Sequence, residues 1–321
     1  MTGADGDRIT HEPTEGAARV TIILGENRWG KAEVRLVTLT KDPADPAVRY
    51  VTDLNVTTQL YGDTGAVFLR GDNAVVLTTD TQKNTVYAFA KEAPVGEPEE
   101  FGLRLCEHFV TSQDAVHRAQ ARIEQLPWTR LSIDGAPAPH SFQRTSEEKR
   151  LASVTWEAGQ AWVTAGLTDL VLLNATGSEF HGYPRDRYTT LPETTDRILA
   201  TAVTARWRYA ENDPAALRAM NFRVTFDDVR TLLVETFATA HSLSLQNTLY
   251  RMGEAVLQRH PEIAEVRMSM PNKHHILVDL SPFGLTNDNE VFLAADRPYG
   301  LIEGAVTRDD APEPGLAWLG F

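Results

Sequence analysis

The residues best suited to chemistry are spread along the chain and not gathered in one motif. Asn272 and His274 occupy alternate positions in residues 265–280, a stretch with the look of a strand. Side chains of extended backbone repeat every two residues, so this pair shares a face with Val266, Met268, Met270, Ile276, Val278 and Leu280. A buried amide or imidazole left without a partner costs about 1–3 kcal/mol, so the two are either satisfied in a core or line a cavity. The strand alone favours a core histidine, with Lys273 and His275 pointing the other way. Thr79 and Asp80 stand at a helix start, where free N–H groups favour an anion or a carbonyl, unless they only cap. Phe180, His181, Gly182 and Tyr183 put aromatics and glycine in a loop that could stack on a planar ring or only pack. Arg197 could clamp a planar pair of acceptors or pair with Asp196 or Glu193. Gln246, in the first turn of a helix, could read a heterocycle edge or cap. Lys31, at a strand start, would ordinarily be solvated.

Other chemistries find no support. No glycine-rich phosphate loop follows a strand, and no Gly-x-Ser-x-Gly elbow is present. The nine histidines form no His-Glu-x-x-His pattern, and adjacent His274 and His275 point apart in a strand, so no metal is expected. Cys106 is the one cysteine, which rules out an intrachain disulfide. A net charge of −13 argues against nucleic acid and anionic membranes. No run is apolar and long enough for a bilayer span, and no signal peptide pattern opens the chain.

The elements that must position these residues follow from the hydrophobic period. With 42% hydrophobic and 23% charged residues, the 321-residue chain suits one large domain or two ordinary ones. Residues 1–16 read as a disordered tail. Strands are expected over 31–40 and 48–56, joined by Asp-Pro turns. A short extended run over 75–77 leads to a helix capped near Thr78, Pro94 and Pro98 break the chain, and a second helix carries Phe101, Leu105 and Phe109. Strands then run over 118–124, 128–133 and 140–156, the last interrupted by charge at 147–150. Ala158 and Gly159 mark the expected boundary between domains 17–158 and 159–307. The second half repeats the order. It has strands over 161–173 and 203–209, a helix opening at Thr225 with a box-like cap, another after Ser244, and strands at 265–280 and 291–293. Residues 308–321 form a C-terminal tail with an apolar end that could dock. Segregated helices and strands indicate an α+β fold of antiparallel sheets with open edges, and hence oligomers.

Taken together, the scattered residues fit one pattern. The chain resembles the urate oxidase (uricase) family from about Asn27 to Thr307. The resemblance lies in Arg28-Trp29-Gly30-Lys31, Thr79 to Tyr87, His140-Ser141-Phe142, Ser146 to Arg150, Phe180-His181-Gly182, Arg185 to Leu191, Thr195 to Leu199, Ser244-Leu245-Gln246 and Pro271 to His274. It implies tandem tunnelling-fold (T-fold) domains, each an antiparallel sheet backed by a pair of helices, assembling into a barrel within a homotetramer whose sites are shared between subunits. It implies cofactor-independent oxidation of urate by dioxygen, with water, to 5-hydroxyisourate and hydrogen peroxide. Phe180 would stack on urate, while Arg197 and Gln246 would grip opposite edges of its six-membered ring, helped by the backbone N–H of Leu245. Thr79 and Asp80 of a neighbouring subunit would hold the five-membered ring. Lys31, Thr79 and His274 would relay protons, and Asn272 with Thr79 would hold dioxygen, then water. Ile302 would add an apolar contact. His181 and Pro184 receive no role. The ending Leu319-Gly320-Phe321 lacks the Ser-Lys-Leu peroxisomal signal of eukaryotic members, which suggests a bacterial-type cytoplasmic enzyme. Two other readings remain: a purine sensor without turnover, and a T-fold enzyme acting on pterin or guanine-type rings. The latter usually anchor their ring with a buried Glu, and none replaces Arg197 and Gln246 here.

Overall fold

The computed structural model describes residues 21–295 and 297–320. The expected tail at 1–16 lies outside the described residues. In chain order the elements are β1 (Trp29–Lys41), β2 (Arg49–Gly62), α1 (Gly65–Arg70), α2 (Thr79–Glu92), α3 (Pro98–Ser112), β3 (Val116–Gln125), β4 (Thr129–Ile133), β5 (Ala136–Gln143) and β6 (Lys149–Glu157). The second half has β7 (Gln160–Asn174), β8 (Leu199–Tyr209), α4 (Pro214–Arg218), α5 (Phe222–Thr239), α6 (Leu245–Arg259), β9 (Ile263–Asn272), β10 (His275–Leu277), β11 (Phe292–Ala294) and β12 (Gly300–Thr307). Eight of these strands form one antiparallel sheet in the order β1-β2-β3-β6-β7-β8-β9-β12. The expected boundary at Ala158 and Gly159 is the tight β6–β7 turn in the middle of that unbroken sheet, and both residues take positive φ there.

Strand alternation decides which face the helices cover. Leu54, Val56, Ala121, Ile123, Val154, Val163, Ala205, Val266 and Met268 are buried on one face, in one core with Phe101, Leu105, Phe109, Val229, Leu233, Met252 and Val256 of the helices. Two helix glycines permit the close approach. A Cβ on Gly102 would lie 2.7 Å from Val154, and one on Gly253 would lie 2.6 Å from Val306. Each half thus seats one helix on its strands through a glycine.

The opposite face is polar and partly covered by the chain's own end. Gln120 Nε2 donates to Leu319 O at 2.7 Å, Arg208 Nη2 to Pro312 O at 2.7 Å, and Trp318 Nε1 to the Glu265 carboxylate at 3.0 Å. The apolar end thus docks on the sheet, with Ala317 buried.

Buried charge joins the halves. Arg150 of β6 pairs with Glu97 and, at 2.8 Å, with Glu99 at the start of α3. Its guanidinium also lies 4.4 Å over the Phe226 ring of α5. Beside it, Arg230 of α5 grips Glu148 through both Nε and Nη2, at 2.6 and 2.8 Å.

Some element boundaries differ from expectation. Pro98 begins α3 instead of breaking the chain, because a first-turn proline lacks only an N–H that the helix would leave unpaired. Helix α5 starts at Phe222, a turn before the expected box, since the Asn221 side chain caps it and both Phe222 and Phe226 are buried. Residues 75–77 are irregular, not extended. The strand expected through 280 ends at Asn272, where β8 and β12 supply their last partners, and the chain turns into the separate β10–β11 ribbon. Among the described residues no helix is long and apolar enough to cross a membrane.

Candidate active site

A cavity of about 570 Å³ opens where β9 leaves the sheet. Its walls include Phe180, Arg197, Asn272 and His274, four residues singled out from the sequence. Leu191, Thr194, His275 and Ile276 complete much of the rest. The break after Asn272 explains a correction. Lys273 N–H still donates to Ala200 O at 2.8 Å, but His274 and His275 both line the cavity and do not point to opposite faces. Ile276, expected on a buried face, is 54% exposed. His274 is exposed rather than a core histidine.

Each wall residue is held by its own element. Phe180 exchanges backbone hydrogen bonds with Thr194, at 2.8 and 3.1 Å, which closes the loop between them. Its ring lies parallel to that of Tyr183, centroids 5.0 Å apart. Arg197 lies 5.2 Å over Phe180, and its Nε donates to the Ser178 hydroxyl at 3.4 Å. The salt-bridge alternative for Arg197 fails, since among the described residues it forms no ion pair with either proposed partner and no charge offsets the burial of its guanidinium. Asp196 accepts from Thr176 and Gly177, and Glu193 from the Gly182 N–H. Burial of the guanidinium pulls its pKa below the ordinary value.

Leu245 and Gln246 begin α6. Ser244 caps that helix by accepting from Asn247 N–H at 3.1 Å, so Gln246 does not cap and its side chain is exposed. The helix start is tied to the Phe180 loop by backbone bonds at Ser242 and a buried Thr248–Ser242 hydroxyl pair, none of which sequence inspection found. Ser178 bridges Ser242, Glu179 N–H donates to Ser242 O at 2.9 Å, and Thr248 Oγ1 donates to Ser242 Oγ at 2.8 Å. Only the serine-rich run at 242–244 hinted at this network.

Lys31, Thr79 and Asp80 form a second cluster, none of them lining that cavity. Thr78 caps α2 by accepting from Thr81 N–H at 3.0 Å, which leaves Thr79 and Asp80 in the first turn. Lys83 bonds to the Asp80 carboxylate and lowers its pKa, with Lys31 adding a smaller effect of the same sign. A β-bulge between Lys31 and Val34, with Glu33 at φ 55°, sets where Lys31 points. Trp29 Nε1 donates to Leu77 O at 2.8 Å and fastens this strand start to the loop before α2. Gly30 is required there, since a Cβ would fall 1.9 Å from Thr58 O. Among the described residues no group of His, Cys, Asp or Glu is arranged to hold a metal ion. Ile302, half-buried opposite Met270, packs on the core and is not part of the cavity wall.

Known proteins resemble this chain over most of its length. The profile of the family described as Uricase matches residues 27–155 and 163–303. A uricase of Arthrobacter globiformis is 48% identical over 304 residues, covering 95% of this chain and 96% of that one. The Aspergillus flavus uricase is 39% identical, covering 88% and 95%. The crystal structure of the Arthrobacter globiformis uricase superposes with a TM-score of 0.85 at 50% identity, over 91% of this chain and 97% of that one. The chain belongs to the uricase family.

Proposed function

We propose that the protein catalyses cofactor-independent oxidation of urate: urate, dioxygen and water give 5-hydroxyisourate and hydrogen peroxide. The observation that carries this is the meeting of Phe180, Arg197, Asn272 and His274 in one cavity. An aromatic face, a guanidinium, an amide and an imidazole suit a planar, electron-rich anion and a small polar co-substrate. Phe180 stacks on the ring and Arg197 grips its pyrimidine-side edge. Gln246 and the Leu245 N–H, at the start of α6, grip the opposite edge. Asn272 holds dioxygen and later water. Removing a second proton from urate makes it a better electron donor to dioxygen; the charge of Lys31 beside the Thr79 hydroxyl eases that removal, and His274 ends the relay. Fixed donors that need no reorganisation supply the rest.

The same reading requires two copies of the chain. Lys31 lies on edge strand β1 and Asn272 on β9, six strand spacings away, or roughly 29 Å along the sheet at 4.8 Å each. Thr79 and Asp80 accompany Lys31, so the neighbouring subunit brings them to the cavity. Each half supplies four consecutive strands and a pair of longer helices, which supports tandem T-fold domains over 17–158 and 159–307 and a barrel closed by pairing of the open edges. A homotetramer is the assembly proposed.

The test mixes the protein with urate and air in the presence of a chelator, following urate absorbance and peroxide. Loss of one urate per peroxide, without metal or flavin, is expected. Turnover that appears only after metal is restored rejects cofactor independence. Urate that binds but is never consumed points instead to a purine sensor.

A further inference from the structure

The Phe180–Tyr183 pair does more than fill a loop. Backbone bonds to Thr194 fix the Cα of Phe180, but they do not fix its ring. An aromatic χ2 is soft, so a half-exposed ring on a loop needs a neighbour to set its plane. Tyr183 supplies one, with its ring 5.0 Å away and inclined by only 16°. Gly182, at φ +74°, makes the reversal that brings Tyr183 back beneath Phe180, and nothing within 4 Å would obstruct a Cβ, so the need is for the backbone conformation alone. Tyr183 is itself anchored. Its hydroxyl donates to Leu191 O at 2.6 Å. Arg185 lies 5.8 Å over the Tyr183 ring and donates to the same carbonyl at 3.2 Å. Leu191 and Phe180 line the cavity, whereas Tyr183 and Arg185 do not. Arg185 and Tyr183 thus stand behind the cavity wall, which Phe180 forms together with Arg197, 5.2 Å over its ring.

We propose that Tyr183 is a positioning residue for urate binding: its ring backs Phe180 on the side away from the cavity and fixes the plane on which the substrate lies. The proposal rests on the reading of Phe180 as the surface that stacks on urate. A pre-set plane removes ordering that substrate would otherwise have to impose, which strengthens binding without a new contact. Such an effect is uniform for bound substrate and transition state, so it belongs in KM and leaves kcat in place.

The experiment is steady-state kinetics with urate on the whole protein and on Tyr183→Leu, Tyr183→Phe and Phe180→Leu. Tyr183→Leu is expected to raise KM roughly two- to tenfold, the factor corresponding to one aromatic pair, with kcat nearly unchanged. Tyr183→Phe keeps the ring and loses the tether to Leu191, and is expected to stay near the parent. Where the leucine variant does not fold, Tyr183→Met repeats the measurement with similar bulk. An unchanged KM in Tyr183→Leu, beside a raised KM in Phe180→Leu, overturns the proposal and leaves the site assignment standing. An unchanged KM in Phe180→Leu overturns the site assignment itself. A Tyr183→Phe variant as impaired as Tyr183→Leu shows that the tether and not the stack matters, and also overturns the proposal.

Discussion

A guanidinium whose neighbouring carboxylates are engaged elsewhere brings its charge to whatever enters the cavity. That is the situation of Arg197, with Asp196 held by Thr176 and Gly177 and Glu193 held by Gly182. Arg197→Ala is expected to raise KM for urate on the order of 10- to 100-fold, the size of a lost charge-assisted hydrogen bond, with a smaller change in kcat. Lys31→Ala and Thr79→Ala should instead lower kcat by roughly 100-fold or more, as loss of general base catalysis does. Initial rates over a range of urate concentrations separate the two cases, and equal, small effects in all three would refute the assigned roles. Gly30→Ala places a methyl group against Thr58 O and should lower stability by about 1–3 kcal/mol, read from urea unfolding, while displacing Lys31. At this scale the sequence was informative about residue types but not about neighbours. Whether Arg197 was paired depended on where Asp196 and Glu193 turn, which spacing alone does not fix. His275 was assigned to the wrong side because the parity rule assumed a strand that had in fact ended at Asn272.

The start of α6 carries two of the proposed contacts, yet it is positioned by residues that touch no substrate. Thr248 and Ser242 bond inside the protein and hold the helix against the loop of Ser178 to Phe180. Thr248→Val keeps the shape and removes the hydroxyl, leaving a buried Ser242 with one partner fewer. The expected result is a loss of about 1 kcal/mol in stability and a KM raised several-fold. Combining it with Gln246→Ala in a double-mutant cycle should show coupling, because the two act on one edge of the ring; strict additivity would count against it. The longer elements were legible because each has an apolar period long enough to stand out. Helices α1 and α4, with six and five residues, are too short to show one. Strand β12 was hidden for another reason. Burial alternates along it, but Gly300 and Gly304 take inward positions and the apolar Leu301 an outward one, 61% exposed, so the sequence shows no clear apolar period. Gly304 is small because Leu249 of α6 packs over it.

For the whole molecule, the Arg150 cluster adds a buried polar connection between halves to the one the sheet makes. Burial pushes the Glu99 carboxyl up to about 7, opposed by Arg150 and assisted by the charge of Glu97. Tyr209, nearby, is itself raised by burial and then by Glu99. The folded protein therefore holds the Glu99 proton to higher pH than the unfolded chain. This contribution to stability is complete below the ordinary carboxylate range and is lost as pH rises through about 7. Unfolding midpoints in urea at pH 5 and pH 8 should show that loss, and Glu99→Gln should show less of it; identical pH slopes for the two proteins would contradict this. The sequence pointed to a duplicated α+β chain with antiparallel strands, because each half repeats its pattern. It could not show that the two halves share one continuous sheet, since the joining turn at Ala158 and Gly159 looks the same whether it links strands or domains.

If the proposed roles hold, that continuous sheet, with Lys31 on one edge and Asn272 near the other, makes protein concentration a kinetic variable. On that proposal a lone chain carries both halves of the constellation but does not bring them together. On the proposed assembly, specific activity should hold steady on dilution only while copies stay associated, then fall in proportion to protein concentration as they part, the total rate going as its square. Two impaired variants, Lys31→Ala and Arg197→Ala, assayed at low urate, should restore one another when mixed and allowed to exchange subunits, because some interfaces then hold an intact residue from each. Neither observation would be expected of an enzyme whose site closes within one chain.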